Sequence, residues 1–370
     1  MEATEGWSNK QMVDIPSVET LSTKMALLLI ARCGFGFSFD WSAPPAGPDG
    51  EMSVQEALRV LTDSYVISMM LPEWMQYLPL PGFAKIRRSI EVLSVFMEHE
   101  IAVRTEEVRA GSESSEGRVD AFTMLVRANE QETGKLKLSN EEVGTVSILP
   151  YLSTSQYSDA DVINNGVETT AHTLSATLAL LALHQDIQDE ISQHAVSVIG
   201  YDREPVYNDH EKLNKVLATF YEALRLFPAG YIMLRESAED TVLKLPNPVG
   251  EEGSASLAVQ KGTTANYPEY NPRYFDNPDE FRPSRWYNIN SESEAFSAFS
   301  IGPRACIGRK FATVEATAFL TMLLRDWRVT PIFKIGETSE AWRERVLSQP
   351  VMGLTLGIRG VPRIALVVSQ

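Results

Sequence analysis

The chain has 370 residues, 44% of them hydrophobic, which is enough to bury a large core, and it carries a formal net charge of −16 with a pI near 4.9. So large an excess of acids repels nucleic-acid phosphates and excludes a nucleic-acid partner. Two cysteines, Cys33 and Cys306, are too few for a disulfide framework and point to a reducing compartment.

The opening residues are acidic and polar and do not form a signal-peptide pattern. The longest apolar run, Met25–Ala31, is stopped by Arg32 and is too short to span a bilayer. Length alone allows two or three domains, but no clean linker divides the chain, so a single domain over residues 1–370 is expected.

In chain order, Ser17–Arg32 has apolar residues at helical spacing and an early acid, predicting a helix that Cys33–Phe37 breaks. Residues 44–50, opening on Pro44-Pro45, form a loop. Ser53–Met70 reads as a second helix capped by Ser53. A break at Pro79–Gly82 precedes a long helix, Ala84–Val108, with a basic start and acid-rich later turns. That charge order opposes the helix dipole, so packing must hold the helix. Gly111–Gly117 is a surface loop, and Asp120–Asn129 is a shorter helix. Met69, Met70, Trp74 and Phe96 read as ordinary core residues.

Val167–Val198 is the strongest helical pattern, with Leu174, Leu178, Leu181 and Ala182 on one face. Leu213–Leu226 is a further helix, on which Glu222 and Arg225 share a face and can pair. Asp240–Leu245 and Ala255–Val259 are short strands, with Lys261–Gly262 as a hairpin turn. Phe311–Leu324 is helical. Val351–Ile358 is expected to pair near the terminal strand, Arg363–Val368. Helices dominate the first two-thirds and strands come late, so the fold class is mainly α with small β-sheets.

The stretch Phe299–Gly308 carries the chemistry. It puts Cys306 directly before a helix, after a turn at Gly302 and Pro303 and next to Gly308. A thiolate at a helix N-terminus is stabilised by backbone N–H groups and the helix dipole, the environment a metal-bound cysteine needs. Arg304 offers a permanent cation to an anionic group nearby. Taken alone, a lone cysteine is more often a small buried hydrophobe.

Phe299, Gly302, Arg304, Cys306 and Gly308 together resemble the haem-ligand loop of the cytochrome P450 family. The resemblance implies haem b as cofactor, with Cys306 as axial thiolate ligand and Phe299, Gly302, Arg304 and Gly308 as cofactor-binding residues. Gly166–Thr169 resembles the family's signature on the helix that crosses the haem. There Gly166 leaves room for dioxygen, Thr169 offers it a hydrogen bond, and Glu168 relays protons from solvent. Glu222 and Arg225, with Arg285 from Phe281–Trp286, resemble the family's buried structural network.

Three departures from the family pattern shape the expectations. The chain starts late, so the domain is expected to be incomplete at its N-terminus, without the anchor, the first sheet and the helix that serves the haem propionates. Gly144–Asn165 reads as an atypical insert, because Pro150, several Ser and Thr residues, Asn164 and Asn165 stand where an apolar half-helix belongs. Its part Gly144–Asp161 has the look of a retained intron. Lys261–Ala265 passes almost directly to Tyr267, where the family has a longer segment.

The resemblance implies a monooxygenase that inserts one oxygen atom from O2 into a lipophilic, terpenoid-like molecule of fungal secondary metabolism. Electrons would come from a separate NADPH-dependent reductase, since no flavin-binding segment is present. A full-length member would sit on the cytoplasmic face of the endoplasmic reticulum membrane, whereas this chain has the look of a soluble one. Two alternatives stand beside this: a truncated or mis-spliced, catalytically inactive haem-binding remnant, and a member that isomerises or dehydrates without dioxygen.

Overall fold

The structure, a computed structural model, describes residues 6–7, 10–41, 51–70, 81–111, 120–134, 137–139, 143, 162–229, 234–247, 251–266, 275–287, 296–300, 302, 305–348, 350–352, 356–358 and 362–369. They form two compact units, one from residues 1–11 and 19–171, the other from 12–18 and 172–370. The loop expected at Gly111–Gly117 falls almost wholly outside the described residues, as do Trp74 and the segment Gly144–Asp161.

The first unit is helical. It comprises α1 (Val18–Leu29, less its first residue), a π-helical turn Ile30–Gly34, α2 (Val54–Met70), α3 (Pro81–Arg109), α4 (Ala121–Gln131) and the first part of α5 (Val162–Leu183). The first helix does not stop at Arg32. It widens into the π-turn, and Phe37 N–H returns to Ala31 O at 2.9 Å. Ser53 caps α2 by accepting from Glu56 N–H at 3.1 Å, as its side-chain chemistry suggests.

Packing does hold α3 against its unfavourable charge order. Ile86, Leu93, Met97 and Ile101 form a buried stripe facing α2 and α4. Each such side chain contributes roughly 1.5–3 kcal/mol on burial. Phe96 packs at the margin of this core, as expected of an ordinary core residue.

One buried polar cluster in this unit escapes a reading of the sequence. Arg104, 2% exposed, donates to Asp120 Oδ1 at 2.6 Å, Thr123 Oγ1 at 2.7 Å and Phe35 O at 2.5 Å. Asp120 also caps α4 by accepting from Thr123 N–H. The cluster ties α3, α4 and the end of the π-turn together, and its mutual satisfaction is what makes a buried charge tolerable. Gly36 sits beside it at φ +69°, where a Cβ would lie 2.9 Å from Asp120 Oδ2, so both conformation and space call for glycine.

In the second unit, a three-stranded antiparallel sheet joins distant segments in the order β1 (Met12–Ile15), β9 (Ile364–Val368), β6 (Trp327–Pro331). Around it stand the rest of α5, α6 (Gln185–Ile199), α7 (Asn214–Leu226), α8 (Arg309–Asp326) and α9 (Ser339–Leu347). Three two-stranded pieces complete the unit. They are β2 (Leu234–Glu236) with β5 (Thr264–Asn266), β3 (Thr241–Pro246) with β4 (Ser254–Val259), and β7 (Pro350–Met352) with β8 (Leu356–Ile358).

Three expectations are corrected here. Val167–Val198 is not one helix: it divides at His184, whose φ −109° and ψ 75° leave the helical region. Gln185 stabilises the break, because its side-chain amide donates to the freed carbonyl of Ala182 at 2.8 Å and to Val329 O at 2.9 Å. The helix also starts earlier than expected, at Val162, and so takes in Asn164 and Asn165. Second, Lys261–Gly262 is a turn, with Thr263 N–H donating to Gln260 O at 3.1 Å and Gly262 at φ +83°, but not a hairpin: it lies between β4, which pairs with β3, and β5, which pairs with β2. Third, Val351–Ile358 pairs with itself, as β7 and β8, and not with the terminal strand.

Candidate functional site

Glu222 is the anchor of the second unit. It lies on α7, wholly buried, because the apolar face of that helix is pressed against α8 and the turn Pro283–Trp286. Its carboxylate accepts from Arg225 Nε and Nη2 at 2.9 Å each and from Arg285 Nε at 3.2 Å. It also accepts from Trp286 Nε1 at 2.8 Å and from the Arg282 backbone N–H at 3.0 Å. The two arginines in turn hold backbone carbonyls: Arg225 that of Glu280 and Arg285 that of Asn277. The structure thus brings together all three residues expected of the network. Trp286 and the Arg282 amide were missed, although Trp286 stands directly after Arg285 in the sequence.

From this anchor an aromatic chain leads to the cysteine loop. Trp286 packs edge-on to Phe296 at 4.9 Å between ring centroids, and Phe296 in turn contacts Phe299 at 6.0 Å. Phe299 begins the loop and closes it, since its carbonyl accepts from Cys306 N–H at 2.8 Å. Ser300 at φ +59° and Gly302 at φ +79° turn the backbone. The left-handed region costs glycine little but is strained for serine. Ala305 N–H then reaches Gly302 O at 3.0 Å.

Cys306 is exposed at the end of this turn, and Ile307 beside it is 91% exposed. Gly308 caps α8, accepting from Ala312 N–H at 2.9 Å. A Cβ at position 308 would lie 3.8 Å from Cys306 Sγ, so glycine keeps one side of the sulphur open. Arg309 lays its guanidinium over the Phe299 ring at 5.6 Å. The cysteine is therefore not a buried hydrophobe. It is presented outward on a braced loop at the start of an 18-residue helix. Arg304 lies outside the described residues. Among the described residues, no group of three His, Cys, Asp or Glu side chains gathers to hold a metal ion. Cys306 thus offers one exposed sulphur at this loop.

Gly166, Glu168 and Thr169 belong to the first unit, on α5. Glu168 and Thr169 are half-buried. At Gly166 the missing side chain admits Ile30 from the π-turn: a Cβ would stand 2.8 Å from Ile30 Cδ1. Alanine is favoured over glycine in a helix by about 1 kcal/mol, and overpacking costs about 1–3 kcal/mol. Gly166→Ala is therefore expected to gain nothing on its own, but to stabilise by about 1 kcal/mol in an Ile30→Val background, where the Cδ1 is gone. Urea unfolding of the two single variants and the double variant checks this. Simple additivity would contradict it.

The family model for cytochrome P450 matches residues 9–351. Cytochrome P450 monooxygenase 124 of Postia placenta is 35% identical over 351 residues, covering 92% of this chain and 64% of the relative. Cytochrome P450 monooxygenase prx9 of Penicillium rubens is 25% identical, covering 95% and 64%, and human cytochrome P450 4V2 is 30% identical, covering 65% and 45%. The chain thus spans less than two thirds of the length of these relatives. The crystal structure of a cytochrome P450, CYP102L1, superposes with a TM-score of 0.68 at 18% identity, covering 100% of this chain and 76% of the other, a likeness of fold.

Proposed function

The chain belongs to the cytochrome P450 family, and on that premise we propose that it acts as a haem-thiolate monooxygenase, inserting one oxygen atom of O2 into a lipophilic small molecule. One observation carries the reading: Cys306 is exposed on a loop turned by Ser300 and Gly302 and braced, through Phe299, Phe296 and Trp286, by the buried Glu222.

The residues present fit haem. Cys306 would hold the iron, Phe299, Gly302 and Gly308 would shape the loop around the sulphur, and Arg304 is assigned to the propionates. When bound, haem supplies the activation of dioxygen, and thiolate ligation favours cleavage of its O–O bond. The helix N-terminus at Gly308 stabilises the thiolate charge. Gly166 would leave room on α5 for dioxygen, Thr169 holds a proton at its hydroxyl, and Glu168 passes protons to it from solvent. The balance requires O2, two protons and two electrons for each oxygen atom inserted, the other atom leaving as water. The electrons come from an NADPH-dependent reductase.

The relatives include fungal proteins named as cytochrome P450 monooxygenases, and the role proposed here is in fungal secondary metabolism, with a terpenoid-like substrate that rests on the resemblance of the motifs. A full-length member would work at the cytoplasmic face of the endoplasmic reticulum membrane; among the described residues, no helix is long and apolar enough to cross a membrane. The test is to supply haem, reductase, NADPH and isotopically labelled dioxygen with a panel of terpenoids. Label in a product supports the reading, and an oxidised product without label, its oxygen having come from water, opposes it. Thr169→Ala is expected to keep haem and substrate binding but to divert reducing equivalents to hydrogen peroxide. Measuring NADPH, peroxide and product together checks this, and unchanged coupling would remove Thr169 from the assignment.

A further inference from the structure

α8 presents Cys306 at its start, and its packed face carries an ionisable group with nothing to pair with. Glu315 is 6% exposed, and both of its carboxyl oxygens are buried without a hydrogen-bond partner. An ionised carboxylate in such a place loses its hydration and gains no compensating contact.

The helix packs mainly against α6, α7 and β6. The titratable or charged groups there are Asp186, Asp189, Glu190 and His194 on α6, Lys215, Tyr221, Glu222 and Arg225 on α7, and Arg328 on β6, while α8 itself carries Arg309, Lys310, Arg325 and Asp326. Several are engaged with one another: Glu190 with Lys215, Asp189 with Arg328, Arg325 with Asp326, and Glu222 with Arg225. None of them acts electrically on Glu315. Burial alone pushes its pKa up to about 8 from the ordinary 4.5.

We propose that Glu315 is a positioning residue that works as a proton-dependent latch: protonated, it lets α8 seat against α6 and α7, and on losing its proton it loosens the helix that carries Cys306. Only the last step rests on Cys306 as the haem ligand. Between pH 4.5 and about 8 the folded chain holds a proton that the unfolded chain has released. Its stabilising contribution is therefore full at and below pH 4.5, falls as pH rises, and is lost above about 8. Within that window the unfolding constant rises by up to about tenfold per pH unit from this group.

The test is urea unfolding of the 370-residue chain and of Glu315→Gln between pH 5.5 and 8.5, with Glu315→Met as a second variant should the amide fail to fold. The unfolding constant of the unsubstituted chain is expected to climb on the order of 100-fold more than that of the variant over this range. Equal slopes would overturn the latch. After haem loading, the pH at which the thiolate-type carbon monoxide band gives way should move upward in Glu315→Gln. Different unfolding slopes with no such movement would overturn the link to Cys306. Different slopes in a chain that takes up no haem would support the latch within α8 and count against the cofactor assignment alone.

Discussion

Glu222→Ala is expected to cost about 3–5 kcal/mol and to leave a chain that does not retain haem. The substitution strands two buried guanidinium groups, the Trp286 indole N–H and the Arg282 amide at once. A folded domain has only about 5–15 kcal/mol of net stability, so the loss takes a large share of it. Glu222→Gln keeps the shape but loses the charge and places an amide donor against Arg225 or Arg285, so it should fall between the two. Urea unfolding and haem content after identical purification check the series. An alanine variant of normal stability that holds haem would show that the network does not brace the cysteine loop.

The second expected result separates ligation from folding. Cys306 is exposed, so Cys306→Ala removes almost no packing, and the unfolding free energy should change by less than about 0.5 kcal/mol. The thiolate-type, red-shifted Soret band of the ferrous carbon monoxide complex should disappear completely. Glu222→Ala and Cys306→Ala thus abolish the same band for different reasons, and the unfolding curve tells them apart. A large loss of stability in Cys306→Ala would mean that the side chain is structural.

The most local features were legible in the sequence. The left-handed turn at Gly302 and the cap at Gly308 belong to residues adjacent to Cys306, and Glu222 with Arg225 follows from helical spacing alone. What escaped depends on partners far along the chain. The break at His184 is invisible because apolar residues continue at helical spacing on both sides, while the Gln185 amide that stabilises it needs Val329 as partner. Strand β6 and its pairing through β9 to β1 join residues more than 300 positions apart in the sequence, which no local pattern announces. Arg104 reads as one more surface cation on an acid-rich helix until Asp120, Thr123 and Phe35 are found around it. Glu315 likewise reads as a helix-surface acid, and only the packing of α8 reveals that it is buried.

The central claim is that Cys306 in this chain is a haem ligand as a thiolate. It is tested most directly by the absorbance spectrum of the purified, haem-loaded 370-residue chain, reduced and exposed to carbon monoxide. The account predicts a red-shifted, thiolate-type Soret band in the unsubstituted chain and none in Cys306→Ala. A band at the position of a neutral-ligand complex in the unsubstituted chain, or a thiolate-type band that survives Cys306→Ala, would contradict it.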